Sequence, residues 1–423
     1  MESSNKAKIA IAIDLGSSRT SGAFQITAPD GSRVPAYSIG FTHPFMSPNK
    51  RMIDIPSSVV RTPRGYIFGV EAEIARYHGM EDKVLFPNLK HCLTFMDREA
   101  ATQLETCFNL VYELWEKREF IMHIYAALFK HVLHLVETEV VSSPQFTAMF
   151  QEVPWEQFEK ELWVMYPLQH NVSFRGSVIQ AGLEAGYRNV HTLPELFAVG
   201  TRVGKSLRNE RPGVFLILDL GDLTVGAAVI EATKSELTKV DRISHIIPPE
   251  TILEGNKSIN DRALGWFNQD TVFKGMESVW NWINLANIVE DLKKNQKRIF
   301  KDGRCLIDLG KAGNMILTEA DMFRFSRPHI IAVADLACKQ YNLAVQEGFT
   351  PTHLAVCGGP VHNEFFTARL CNLIKGRIRN EHGKEISCNV IKGYMSHGAL
   401  EYAVQLIKDP SVATTLDEWQ GGQ

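Results

Sequence analysis

Residues Ile11–Phe24 read I-A-I-D-L-G-S-S-R-T-S-G-A-F, and residues Leu216–Val229 read L-I-L-D-L-G-D-L-T-V-G-A-A-V. In each, an apolar β-rich run (Ile9–Ile13 or Val214–Leu218) leads directly into Asp-Leu-Gly, and small residues follow. Asp14 and Asp219 stand 205 positions apart in a chain of 423 residues. A repeat at about half the chain length predicts two lobes of similar build, each offering one strand–turn–strand hairpin to a shared cleft. In such a turn the Asp ends the first strand and presents a carboxylate. The Gly lets the backbone approach a ligand closely. Successive N–H groups and hydroxyls can then wrap phosphate oxygens. Two facing hairpins would hold a polyphosphate, with Asp14 and Asp219 holding a hydrated Mg²⁺ between them.

Composition narrows the setting. A chain of 423 residues, 45% hydrophobic and 22% charged, can bury two domains or one large two-lobed one. A net charge of −3 makes no electrostatic case for nucleic acid or an anionic membrane. The seven cysteines show no C-x-x-C spacing and an odd count, so they read as reduced thiols of a reducing compartment. The start M-E-S-S-N-K-A-K has no apolar core for a signal peptide, and no stretch approaches the ~20 apolar residues of a membrane span. The expected location is cytoplasmic.

Further along, prolines Pro44, Pro48, Pro56 and Pro63 mark Ser38–Gly69 as an irregular, β-containing insertion. Val70–His78 reads as a helix. Leu114–Val136 is the clearest amphipathic helix, with Ile121, Ile124, Leu128, Val132 and Leu135 at three-to-four spacing. His123, His131 and His134 ride on it; two histidines three apart can share a metal, but no third ligand is spaced to join them. Leu162–Tyr166 and Asn189–Leu193 read as strands, with a helix at Ser173–Gly186 between them and another opening at Pro194. In the second half, Leu237–Ile247 is expected to pair with the hairpin, and Asn260–Phe267 and Met276–Phe300 to be helical. Thr318-Glu-Ala-Asp321 carries a capping signal for a long helix to about Gly348. His353–Cys357 is a strand running into Gly358-Gly359-Pro360, Asn363–Lys375 a helix, Asn389–Ile391 a strand and Ser396–Ile407 a closing helix. Strands alternating with helices define an α/β architecture.

Taken in order, Asp14, Asp219 and Gly358-Gly359, each behind an apolar strand, resemble the actin-like ATPase superfamily of actin, sugar kinases and the seventy-kilodalton heat-shock chaperones. Local matches favour the chaperone type, in a divergent branch. Lys90 in K-H-C-L is similar to that type's first-lobe lysine, and W-V-M-Y-P (Trp163–Pro167) with A-G-L-E-A-G-Y (Ala181–Tyr187) to its first connecting segment. L-E-G-N-K-S-I-N-D-R (Leu253–Arg262) resembles its glycine-containing loop, Glu290 with Lys293 and Lys294 its adenosine-contacting helix, and G-A-L-E-Y-A (Gly398–Ala403) its closing helix. The resemblance spans about residues 8–408.

The resemblance implies a two-lobed actin-like fold: duplicated ribonuclease-H-like lobes around a central nucleotide cleft. Lobe I would be residues 1–207 with an insertion at about 38–110. Lobe II would be 208–408 with an insertion at about 240–320, closed by helix 396–407 and followed by a polar tail, 409–423. It implies ATP or ADP with Mg²⁺ as the ligand. Gly16, Ser17, Ser18 and Arg19 would serve phosphate from lobe I, and Gly221, Asp222 and Thr224 from lobe II, with Gly255 in the adjoining loop. Asp14 and Asp219 would lie on the metal side. Lys90 would stabilise γ-phosphate charge and the attacking water, as phosphoryl transfer requires. Glu290, Lys293, Lys294, Gly358, Gly359 and Pro360 would border adenosine, and His362 would stack on the base.

The sequence also departs from that pattern. Where the family continues Gly-Gly-Thr in the second turn, this chain has Asp222-Leu223-Thr224. A carboxylate about 4–5 Å from a phosphate charge costs on the order of 3–4 kcal/mol at an effective dielectric near 20. Gly226 replaces the turn's next carboxylate, Leu193-Pro194 stands for Glu-Pro, and Pro360 lacks an N–H. The tail after the closing helix is fifteen residues, so the expected branch is one without the peptide-binding domain. Two readings follow. One is a heat-shock-chaperone-like nucleotide-binding protein with a slow or inactive ATPase site. The other is a pseudo-ATPase whose cleft binds or transforms a small organic molecule, or that serves as a partner-binding scaffold. A sugar-kinase-like transferase is a third, disfavoured by the Ser38–Gly69 region and the Lys90 segment. In Cys357 the strand-end position reads as a buried thiol more readily than as a nucleophile.

Overall fold

The run K-I-A-I-A-I-D-L forms strand β1 (Lys8–Leu15). Strand alternation puts Ile9, Ile11, Ile13 and Leu15 on one face, inside a core cluster, and Ala12 and Asp14 on the other. The computed structural model describes residues 6–16, 19–41, 51–62, 65–77, 85–86, 118–144, 146, 153–166, 172–206, 213–234, 241–269, 299, 302–308, 314–362, 364–391 and 395–408. The chain is α/β, with two mixed sheets of the same plan.

In the first sheet β2 (Arg19–Thr27) runs antiparallel to β1, with Asp14 opposite Ser21 and Leu15 opposite Thr20. β3 (Tyr37–Ser38) and β4 (Asp54–Pro56) both pair with β2. A small sheet follows, of β5 (Val59–Thr62), β6 (Gly65–Phe68) and β7 (Leu85–Phe86), with helix α1 (Val70–Tyr77) between the last two. Helix α2 (Arg118–Ser142) buries Ile124, Leu128, Val132 and Val136 in the core cluster, as their spacing requires. β8 (Glu159–Tyr166) joins β1 in parallel, contributing Leu162, Val164 and Tyr166 to that cluster. Helix α3 (Val172–Glu184) ends at Gly186, whose φ of 99° is the left-handed cap conformation. β9 (Asn189–Pro194) lies parallel to β8, and α4 (Glu195–Ser206) follows; Pro194 is the last strand residue, directly before the helix.

In the second sheet β10 (Gly213–Leu220) and β11 (Val225–Lys234) form the hairpin, with Asp219 opposite Gly226. β12 (Asp241–His245) and β13 (Glu250–Ile252) both pair with β11. Helix α5 (Asn256–Gln269) follows. A separate hairpin of β14 (Arg304–Asp308) and β15 (Asn314–Thr318), not foreseen in the sequence, leads into α6 (Glu319–Gln346). Thr318 and Asp321 close a capping box at its start, as expected, and Pro328 sits inside it without ending it. β16 (His353–Gly358) joins β10 in parallel. A 3₁₀ turn (Gly359–His362), helix α7 (Glu364–His382) and parallel β17 (Ser387–Val390) complete this unit. Leu216, Leu218 and Leu220 pack with Val333, Ala337 and Tyr341 of α6 and with Leu370 and Ile374 of α7.

The two sheets have strand orders β3-β2-β1-β8-β9 and β12-β11-β10-β16-β17, each with one further strand on the hairpin's second arm. The chain divides into two compact units: Met1–Lys205 with Glu236–Val240 and Tyr394–Gln423, and Ser206–Ser235 with Asp241–Gly393. The last helix, α8 (Met395–Lys408), packs on β1, β2 and β8 and so belongs to the first unit, where the sequence reading had placed it at the end of the second lobe. The reason is close packing on α4. A side chain at Gly398 would strike the Ala198 carbonyl, and beside it Arg202 pairs with Glu401 at 3.0 Å.

Cys371 of α7 and Cys388 of β17 are brought within disulfide reach of each other, where the sequence reading expected reduced thiols throughout. A spacing of 17 residues carries no local signal; the helix returns to its strand and brings the Cα atoms to 6.5 Å. Cys305, Cys338 and Cys357 are free and buried. Among the described residues, no helix is long and apolar enough to cross a membrane.

Candidate functional site

Each unit holds its Asp-Leu-Gly turn in its own way. In the first, Asp14 is half-buried near the end of β1, and a side chain at Gly16 would strike the Arg19 carbonyl. The Ser57 hydroxyl, just past β4, donates to the Gly16 carbonyl at 2.7 Å and lies 2.9 Å from the Thr20 hydroxyl. Thr20 and Ser57 are buried, and their hydroxyls are spent on each other and on the turn. Arg19 forms an ion pair with Asp54 of β4, which meets its charge within the unit. Ser17 and Ser18 lie outside the described residues.

In the second unit the turn closes with the Gly221 N–H donating to the Thr224 carbonyl at 2.9 Å. Three backbone donors at the start of α5 then catch three successive carbonyls of the turn. Asn256 N–H reaches Gly221 O at 3.1 Å, Lys257 N–H reaches Asp222 O at 2.7 Å, and Gly255 N–H reaches Leu223 O at 2.8 Å. The approach leaves no room for a side chain at Gly255, which would run into the Asp222 and Leu223 backbone. Across a trans peptide plane a carbonyl and the next residue's N–H point in opposite directions. The N–H groups of Asp222, Leu223 and Thr224 are therefore turned away from α5. Leu223 and Thr224 are buried, and Asp222 is half-buried.

The two turns correspond position by position. Asp14 faces Ser21 as Asp219 faces Gly226, and Thr20 faces Ile55 as Val225 faces Ile252. Gly16 and Gly221 are thus equivalent, and their carbonyls are held by Ser57 and by Asn256 respectively. Neither Ser57 nor the carbonyl-catching role of Gly255–Lys257 was singled out in the sequence. The echo of Ile55 in Ile252, each opposite the start of its hairpin's second arm, is the signal that could have found them.

The third glycine signal sits against the second turn. Gly358 has φ of 99°, and a side chain there would strike the backbone of Leu220, one residue after Asp219. Its neighbour Cys357 is fully buried; its thiol donates to the Leu218 carbonyl at 3.2 Å and lies 3.9 Å from Asp219 Oδ1. Burial, reinforced by the Asp219 carboxylate, pushes this thiol well above the usual range, so Cys357 stays protonated and is not a nucleophile. Gly359, Pro360 and His362 form the 3₁₀ turn, anchored by buried Val361.

Lys90, Glu290, Lys293 and Lys294 lie outside the described residues. Among the described residues no group of three or more His, Cys, Asp or Glu could hold a metal ion. His131 packs on Phe68 with ring centroids 5.7 Å apart, and burial lowers its pKa. No known family model matches the chain, and no curated protein matches it.

Proposed function

We propose that this chain is a nucleotide-binding protein of the actin-like, heat-shock-chaperone type, with ATP hydrolysis slow or lost. The observation that carries the reading is the register the two Asp-Leu-Gly hairpins share, Asp14 opposite Ser21 as Asp219 is opposite Gly226, with the second turn held by three hydrogen bonds from Gly255–Lys257. The strand order common to the two sheets supports it. By the resemblance, each turn would serve phosphate, and Gly358, Gly359, Pro360 and His362 would lie by the nucleoside. Lys90, Glu290, Lys293 and Lys294 carry their roles from the resemblance alone. The protein would work in the cytoplasm.

Slow or absent hydrolysis rests on the chain's own departures. Asp222 adds a carboxylate at the second turn, and Gly226 and Leu193 leave out groups that would help hold metal and water. The same departures favour a second reading, a pseudo-ATPase that binds or transforms a small organic molecule or serves as a partner-binding scaffold.

Thermal unfolding with Mg²⁺-ATP, Mg²⁺-ADP and no ligand is the test. A ligand that binds only the native state raises the melting temperature by mass action. A rise that disappears in Asp14→Ala and Asp219→Ala supports the reading. No rise at nucleotide concentrations up to about 5 mM, with calorimetry equally silent, sinks it.

A further inference from the structure

We infer that Arg262, through Glu254, is a positioning residue for the second Asp-Leu-Gly turn, an inference that rests on the nucleotide reading above. Glu254 directly precedes Gly255, the first of the three residues that catch the turn's carbonyls. Both of its carboxylate oxygens lie 2.7 Å from Nη2 of Arg262, which stands further along α5. Nη1 of the same guanidinium reaches the Phe325 carbonyl of α6 at 3.4 Å. One side chain thus ties the loop before α5, the body of α5 and α6 together. Charge-assisted contacts of this kind hold geometry as well as charge.

His329 of α6 sits behind the pair, with Nδ1 3.8 Å from Glu254 Oε2 and no exposed surface. Burial pushes its pKa down to about 4, against the pull of Glu254, so at neutral pH it carries no charge to compete with Arg262. The Glu254 carboxylate is left to the guanidinium, and the loop is latched to the helix it opens. Without the latch, Gly255–Lys257 could slide along the turn. The carbonyls of Gly221, Asp222 and Leu223 would then lose their fixed donors, and the turn its fixed shape. Arg262 itself touches no ligand in this arrangement. Its effect is on how well phosphate is held, so its loss should be felt by ligands in proportion to their phosphates.

The experiment compares the full chain with Arg262→Ala, Arg262→Lys and Glu254→Gln. Affinity is measured for ATP, ADP and adenosine, with ligand-free melting temperature and amide hydrogen exchange at Gly255–Lys257. The expected result is a loss of about tenfold or more in ATP and ADP affinity, with adenosine changed by less than about twofold and Arg262→Lys intermediate. A merely structural role would weaken all three ligands alike, and that outcome overturns the inference, as does unchanged ATP affinity. If Arg262→Ala fails to fold, Glu254→Gln carries the same comparison. If the wild-type protein binds no nucleotide, the functional reading fails and the exchange measurement decides the latch by itself. Faster exchange at Gly255–Lys257 with β10 unchanged upholds it, and unchanged exchange at those three amides refutes it.

Discussion

The Ser57 hydroxyl holds the Gly16 carbonyl at 2.7 Å, doing with a side chain what the Asn256 N–H does for Gly221 with backbone. The two turns share their strands and register and differ in their clasp. A side-chain clasp can be removed by substitution; a backbone clasp can be disturbed only through the loop that carries it. The first turn is the one a point mutation can release.

Ser57→Ala should lower the unfolding free energy by about 1–2 kcal/mol, because the Gly16 carbonyl and the buried Thr20 hydroxyl both lose a partner. Urea unfolding measures it. An unchanged midpoint would mean that solvent replaces the hydroxyl at the turn.

Gly358→Ala should be far worse, at about 3–5 kcal/mol or outright failure to fold. The residue has a left-handed φ of 99°, and the added methyl meets the Leu220 backbone, which cannot move without taking the Asp219 strand end with it. Gly359→Ala is the control. It has open space around it and should cost less than about 1 kcal/mol. Similar melting temperatures for the two variants would contradict the packing described.

Acid should destabilise the protein through two buried histidines. Burial lowers His245 to about 3 and His329 to about 4, against an ordinary 6.5. Above pH 6.5 both folded and unfolded forms are neutral, and the histidines add no pH dependence. As pH falls below 6.5 the unfolded chain takes up protons that the folded chain refuses, so stability falls until the folded pKa is reached. The slope approaches about 1.4 kcal/mol per pH unit for each histidine. Denaturation midpoints between pH 7 and pH 4 should show it, and His329→Phe should reduce the slope. A stability that is flat over that range would remove both histidines from the account.

Reduction of the Cys371–Cys388 disulfide should cost about 3 kcal/mol, the chain-entropy value for a closed loop of this size. Alkylation and mass spectrometry of protein isolated without reductant measures the bond directly. Two additional alkylated cysteines in that sample would show that the pair is reduced where the protein works, as a cytoplasmic location expects.

Both Asp-Leu-Gly strands, the Thr318 cap, the α2 stripe and the run into Gly358 were legible in the sequence, because each is a local pattern. Alternation reports a buried face, a hydroxyl three residues before a carboxylate reports a cap, and glycine after a strand reports a turn. The 205-residue echo between Asp14 and Asp219 likewise announced two similar sheets. Other features were settled only in three dimensions. Ser57 reaches back 41 residues to Gly16, Gly255 reaches 32 to Leu223, and the last helix lies on β1 at the far end of the chain. These partners are chosen by strand order and by how closely backbones can approach, and no window of sequence contains either. The sequence determined which residues form the turns; the tertiary structure decided what holds each of them, because the donors to their carbonyls come from residues far along the chain.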